Sequence, residues 1–497
     1  MKISQVIYEN EYFCASDVRE LEFDRICSNA REACNSSLFF LTKGVKYDTN
    51  KLIPFVLSKF PVAIVAEDFP SGIKTDIPII TVNNARRALS FAHSRFSEID
   101  YTSLRFIGVT GTNGKTTTAT MLYHALRADG RRVGFIGTGK ILINEEKISD
   151  DAYNMTTPDP KLLYPTVKRM QDEGCEFIVM EVSSHALALE KCAPIFFELA
   201  IFTNLSGEHL DFHRDMENYR EAKLKLFNSA KIGIFNADDK YTESMIRDSS
   251  CAVIRAGAVW DAEVLARRIE DNGLRGISYL YSSAGVSFLV KSKMIGIYNV
   301  YNSMLALTAA IAAGVRPCVA KKAICDMASV EGRGEVIYDE ITVIIDYAHT
   351  SAAFDCILKT AARVRSKGGR IITLFGCGGE RDVEKRPKMG ALAESLSDLV
   401  IITSDNCRSE RAEDIVRDIL AGIQDKSKRR VIINREKAIE EAILCAKNGD
   451  VVLIIGKGHE RYNIDKSGIH YFDERNIISA ALKKRKEGHN NEYENKA

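Results

Sequence analysis

GVTGTNGKTTT, residues 108–118, decides how this chain folds. It follows a largely apolar run at 104–109 and opens a helix-like segment at 116–127. Phosphates need that order: a strand fixes the loop, glycines let backbone N–H groups approach, and a helix N-terminus favours negative charge. Lys115 is placed to reach terminal phosphates and the Thr116 hydroxyl to sit on Mg²⁺. Gly111, Thr112, Asn113, Gly114 and Thr117 complete the cradle. The spacing departs from the common G-x-x-x-x-G-K loop, since counting from Gly108 puts the second glycine at Asn113. The strand–loop–helix context predicts ATP or a close relative as ligand.

Composition agrees with an enzyme built around such a loop. At 497 residues the chain is long for one core, so two to four domains are expected. A net charge of +1, from 68 basic and 67 acidic residues, gives no electrostatic case for a nucleic-acid or membrane partner. No apolar run approaches the roughly 18–20 residues of a membrane span. MKISQVIYENEYF at the start lacks the basic and apolar blocks of a secretory signal. Twelve cysteines lie scattered with no C-x-x-C pair, as expected of reduced thiols in the cytoplasm.

The pattern divides the chain into α/β units: a small α/β domain at 1–100, a central domain at 101–330, a third at 331–485, and a polar, frayed tail at 486–497. In the first, short apolar runs at 38–41 and 62–66 alternate with polar turns. Strand-like runs at 106–109, 133–136, 177–180, 199–202 and 232–235 alternate with helical ones, predicting a mostly parallel sheet of P-loop ATPase type. A hairpin is expected where two alternating segments flank Ser283-Ala284-Gly285. The third unit has strand runs at 343–345, 371–375, 399–403, 431–433 and 451–455, predicting a Rossmann-like doubly wound sheet.

Sheets of this kind hold ligands at the carboxyl ends of their strands. Glu181 closes the run FIVME, where a metal-binding carboxylate could face the phosphate loop, and Ser183 and Ser184 follow it. The strand LAIFTN leads into LSGEHLDFH, with His209, Asp211 and His213; the next helix projects Lys223 and Lys225. Singly, each of these would suit a solvated or structural position.

Together they resemble a family. GTNGKTT, EVSSHAL, NLSGEHLDFH, NADD at 236–239, YNVYN at 298–302, EGRGE at 331–335, DYAHT at 346–350 and GCGGERDVEKRPKM at 376–389 are similar to the motifs of the Mur ligases. TTPDP at 156–160 and GKGHERYN at 456–463 narrow the resemblance to the branch that makes the UDP-muramoyl tripeptide.

The resemblance implies peptide-bond synthesis in cell-wall precursor assembly: the carboxylate of UDP-MurNAc-L-Ala-D-Glu takes the γ-phosphoryl group of ATP, and an amino-acid amine displaces phosphate from the acyl phosphate. It implies two Mg²⁺ sites, with Thr116 and Glu181 on one, His209 on the second, and Lys223 carbamylated by CO₂ to serve as a further ligand. Lys225 has no counterpart in the motif. Asn302, Arg333 and Asp346 are implied around the nucleotide. Thr156, Thr157, Ser183 and Lys191 fall to the acceptor, and Arg381, Asp405, Asn406, Arg408, Gly456 and Glu460 to the amino acid. The amino acid implied is meso-diaminopimelate, because Arg408 could read its extra carboxylate. A cytoplasmic monomer is implied.

The chain also departs from the family pattern. Cys407 stands where proline is usual, Asn29-Ala30-Arg31 where Asp-Ser-Arg is, Leu189 for glutamine, Lys191 for arginine, and Met155 for a polar residue. Most of these changes remove hydrogen-bonding groups from the acceptor side. Two other readings therefore stand beside the first: a paralogue using the same ATP chemistry on another carboxylate or amino acid, such as L-lysine or a folylpolyglutamate-type substrate, and an inactive ATP-binding regulator.

Overall fold

The computed structural model describes residues 1–8, 12–14, 17–44, 48–148, 155–259 and 262–494, with side chains to 487. Among the described residues three large sheets follow one another along the chain, and a two-stranded ribbon, Tyr462–Asp465 with Gly468–Tyr471, follows the third.

The first has five strands in the order Tyr12–Phe13, Ile79–Val82, Ala63–Ala66, Ser37–Leu41, Arg25–Cys27, all parallel except the Tyr12–Phe13 edge. The helix Ala85–Phe96, capped by the Asn84 side chain, covers it. Ser90 Oγ of that helix donates to the Glu190 carbonyl at 2.7 Å and ties this unit to the next.

The second sheet has eleven strands, and its parallel centre is what positions the phosphate loop. Arg105–Thr110 lies between Phe177–Glu181 and Phe197–Phe202, in parallel register with both. These strands are apolar on both faces, as a sheet covered on two sides requires. Glu181 pairs with Val109, and Phe202 with Thr110, so the residues that follow them flank the loop. The expected hairpin forms from Ile277–Ser283 and Val286–Ser292. It extends the sheet beyond its parallel part, as do Lys140–Ile143 and Glu146–Ile148 at the other edge.

The third sheet runs Glu335–Tyr338, Thr342–Asp346, Val451–Ile455, Ile371–Phe375, Leu399–Ile402, Arg429–Val431, parallel except for its first strand. Two expectations change here. The last strand falls two residues before 431–433, because the ladder with Leu399–Ile402 pairs Ile402 with Val431. The polar tail is helical as far as Glu494, and 495–497 lie outside the described residues: Glu474–Glu494 is one helix, seated by buried Ile478 and Ala481, by Arg485 on the Ala446 carbonyl, and by Lys486 beside Asp339. Among the described residues no helix is long and apolar enough to cross a membrane.

Candidate active site

Gly114 takes φ 85° and caps the helix Lys115–Ala128, turning the loop's backbone into the helix N-terminus. Gly111 lies against Thr203, where a Cβ would meet the Thr203 hydroxyl at 1.9 Å, so no larger residue fits there. Thr203 Oγ1 and Asn204 Nδ2 donate to the Asn113 carbonyl at 2.6 and 3.0 Å, fastening the loop to the neighbouring strand end. Lys115 Nζ donates to the Gly111 and Thr112 carbonyls at 2.9 and 2.8 Å. Burial lowers its pKa, while Glu208 and Glu181 favour the charged form.

Glu181 is fully buried and accepts from the Thr138 N–H at 2.8 Å, the Thr138 hydroxyl at 3.1 Å and the Thr116 hydroxyl at 2.9 Å. One carboxylate beside two hydroxyls is a hard-oxygen set that fits Mg²⁺, which takes one or two carboxylates and completes its octahedron with water and phosphate. Among the described residues no three His, Cys, Asp or Glu side chains form a metal cage. Arg333 Nη2, arriving from beyond the central sheet, donates to the Thr116 hydroxyl at 3.2 Å.

His209 sits in the left-handed region at φ 58° and begins the turn Leu210–His213. Burial pushes its pKa down to about 3, which keeps a ring lone pair available. Lys223 is buried on the helix Met216–Asn228, its Nζ donating to the Gly111 carbonyl at 2.9 Å over the Tyr219 ring. Lys225, on the same helix, is surface-exposed and pairs with Glu190.

A cleft of about 410 Å³ joins this loop to the third sheet. Residues 112–117, Thr156, Glu181, His209 and Arg333 line one side; Arg381, Asp405, Asn406, Arg408, Gly456 and Glu460 line the other. The second group comes from three separate loops, each leaving the carboxyl end of a parallel strand. Lys457, wholly buried, fixes their polarity. Its Nζ donates to Asn406 Oδ1 at 2.9 Å, as does the Ile464 N–H at 3.0 Å, so Asn406 must turn Nδ2 to Glu460 Oε2, at 2.7 Å. Burial opposes the Asp405 charge, yet Lys457 and Arg435 hold its carboxyl below the usual range. Burial and Asp405 together raise that of Glu460. Arg408, at φ 54°, anchors Nη1 on the Gly379 carbonyl at 2.7 Å.

Seven sequence-predicted residues lie behind the cleft wall. Gly111 and Lys223 back the phosphate loop. Asn302 lies under Gly114, where its Oδ1 would be 2.4 Å from an added Cβ. Asp346 accepts from the Gly334 and Ala348 N–H groups at 2.6 and 2.7 Å, bracing the loop that carries Arg333. Thr157 Oγ1 donates to the Glu181 carbonyl at 2.9 Å and accepts from the Ser183 N–H at 3.0 Å; Ser183 in turn caps Ser184–Ala188. Lys191 Nζ pairs with Asp159 at 2.7 Å.

The structure also adds residues that sequence reasoning passed over. Glu208, next to His209, meets His349 Nε2 at 2.8 Å. Burial opposes its ionisation, but His349, His209 and Lys115 outweigh that and hold its carboxyl well below the ordinary range. Both residues lie inside quoted motifs, GEHLD and DYAHT, so adjacency to a predicted ligand was the available signal. A second pocket of about 490 Å³ opens in the first sheet, lined by Lys43, Asn50, Glu67 and Phe69 among others. Ala30, in place of the usual serine, is buried in that sheet's core.

Comparison with known proteins places these features. Residues 109–310 match the Mur ligase middle domain, and residues 332–458 the Mur ligase glutamate ligase domain. The chain is 36% identical over 488 residues to UDP-N-acetylmuramoyl-L-alanyl-D-glutamate--2,6-diaminopimelate ligase 1 of Clostridium acetobutylicum, covering 97% of this chain and 99% of that one. It is 37% identical over 460 residues to the 2,6-diaminopimelate ligase of Aquifex aeolicus, covering 92% and 93%. A solved structure of a UDP-N-acetylmuramoyl-L-alanyl-D-glutamate--2,6-diaminopimelate ligase superposes with a TM-score of 0.66 at 29% identity, covering 95% and 97%.

Proposed function

The chain belongs to the Mur ligase family, and we propose its reaction on that premise: it is an ATP-dependent ligase that joins 2,6-diaminopimelate, in the meso form, to UDP-N-acetylmuramoyl-L-alanyl-D-glutamate during peptidoglycan precursor synthesis. One observation carries this reading. The phosphate loop and the Asp405–Asn406–Arg408–Glu460 group open onto the same cleft from opposite sides. An acyl phosphate made at the first can meet an amine held at the second without crossing solvent, where hydrolysis would compete.

The residues divide the work. The acceptor carboxylate attacks the γ-phosphorus of ATP, ADP leaves, and the amine then displaces phosphate from the acyl carbon. Lys115 and the backbone of residues 112–114 would hold the transferring phosphoryl group, whose transition state needs positioning and charge stabilisation above all. Thr116 and Glu181 would hold one Mg²⁺; His209 and a carbamylated Lys223 would hold a second, and the ions would neutralise phosphate charge. Arg333 lies close enough to Thr116 to reach the nucleotide from the third unit. Thr156, on the cleft, would contact the acceptor; Thr157 and Ser183 shape the wall behind it. We place the enzyme in the cytoplasm, working as a monomer.

Arg408 supplies donor selectivity. The backbone contact of Nη1 holds the guanidinium at the cleft, where a fork can grip the distal carboxylate that L-lysine lacks. Charge-assisted hydrogen bonds contribute roughly 1.5–3 kcal/mol, so Arg408→Ala should cut the preference for diaminopimelate over L-lysine by about ten- to a hundredfold. Competition between the two amino acids in one assay measures it, and unchanged selectivity would move the reading of the carboxylate elsewhere.

Phosphate release with saturating UDP-MurNAc-L-Ala-D-Glu and each candidate amino acid tests the whole assignment. Release with meso-diaminopimelate is expected. Silence with every diamino acid would give way to the paralogue using another acceptor.

A further inference from the structure

Asp405–Arg408 and Gly456–Glu460 stand on strands that are not neighbours. Ile371–Phe375 lies between Leu399–Ile402 and Val451–Ile455, so no ladder hydrogen bond can set one loop against the other. Their spacing is nonetheless close: a Cβ on Gly456 would meet Asp405 Oδ2 at 2.5 Å.

Below the gap lies Arg435, the first residue of the helix Arg435–Leu444, its side chain 0% exposed. Its Nη1 donates to the Ser404 carbonyl at 3.1 Å, its Nη2 to the Ile455 carbonyl at 2.9 Å, and its Nε to Glu474 Oε1 at 2.7 Å. Ser404 immediately precedes Asp405, and Ile455 immediately precedes Gly456. We propose that Arg435 is a positioning residue for the amino-acid pocket, its planar fork setting the distance between the two loops by gripping the carbonyl at the root of each.

The chemistry favours this over a purely stabilising role. A buried ion pair is weak ground for stability, since an apolar pair of like volume often does as well. A guanidinium instead offers two nitrogens at fixed separation, which an ammonium cannot. Glu474, 1% exposed, balances the charge and leaves the fork free to span the carbonyls. A shift at either root would reach the pocket directly, because Lys457 links Asn406 to the Gly456 loop and Asn406 bonds Glu460.

The inference rests on the amino-acid pocket assigned above, and the test separates the two. In the full-length enzyme, Arg435→Met with Glu474→Met removes both charges of the pair together, and Asp405, which also faces Arg435, keeps Lys457 at 3.5 Å as its counter-charge. The melting temperature should stay close to the parent's, while the KM for diaminopimelate rises about ten- to a hundredfold, the scale of a small misplacement. The KM for ATP should not change. Backbone amides of residues 404–408 and 456–464 should exchange faster with solvent. Arg435→Lys, which keeps the charge but not the fork, should show the same split more mildly, and it carries the test if the double variant does not fold. Unchanged donor KM and unchanged exchange in those loops would overturn the proposal. So would an equal loss in every kinetic constant that tracks a fall in melting temperature. If the parent does not ligate diaminopimelate the pocket's assignment fails, and the exchange of the two loops alone then decides the role of Arg435.

Discussion

ATP-dependent phosphate release should fall by roughly a hundredfold or more in Lys115→Ala, the scale on which removing one transition-state stabiliser acts. The ammonium sits at the mouth of the loop, on the Gly111 and Thr112 carbonyls, and between the carboxylates of Glu208 and Glu181. Alanine leaves those groups without the positive charge that a transferring phosphoryl group needs. Glu181→Gln should cost a similar factor by a different route. It keeps the side chain's shape, and the Thr116 and Thr138 hydroxyls can turn to suit an amide, but it removes the only charge in the proposed Mg²⁺ set. Raising Mg²⁺ should therefore recover part of the loss in Glu181→Gln and none in Lys115→Ala. Both variants should unfold near the parent's temperature. Full phosphate release by either one, purified and folded, would discard this site.

The parts of the molecule that could be read from the sequence are those whose cause is local. The phosphate loop, its strand and its helix share one stretch of chain, and the hairpin at 283–285 announces itself by its turn. Edge strands such as Lys140–Ile143 were not expected; they form because the parallel core offers them an open edge. The same division holds in the site. Glu181 and Asp405 stand at strand ends, where the pattern points. Around the implied nucleotide site, Asp346 accepts from the backbone of the Arg333 loop and Asn302 lies against Gly114. That structural work depends on partners far away in sequence. The pairing of Glu208 with His349 and the grip of Arg435 are of the same kind: each residue is ordinary in its own segment and acquires a role only when two units of chain meet.

Lys223→Ala should be nearly inactive, and short carboxylic acids added to the assay should restore part of the activity. The ammonium form of Lys223 is unfavourably placed. Lys223 and Lys115 donate to the same Gly111 carbonyl, each at 2.9 Å, and no carboxylate pairs with Lys223 among the described residues. Burial, and after it the Lys115 charge, lowers the Lys223 pKa well below the ordinary lysine value. A neutral amine has a lone pair for CO₂: the nitrogen bonds to carbon, one proton leaves to solvent, and the product is a carbamate anion. That anion beside Lys115 gains an attraction the neutral amine lacks, and its two oxygens are ligands of the type Mg²⁺ prefers. The wall around the amine supports the exchange, since the Tyr219 ring shields it and His209 stands over the same ring, 6.4 Å from it, as a candidate ligand for the same ion. Alanine leaves a cavity where the carbamate would stand, which is why a small acid could replace it; arginine at this position would keep a cation and should not be rescued. Activity that survives Lys223→Ala, or an unmodified ammonium at this residue in a structure holding both metals, would remove carbamylation from the mechanism.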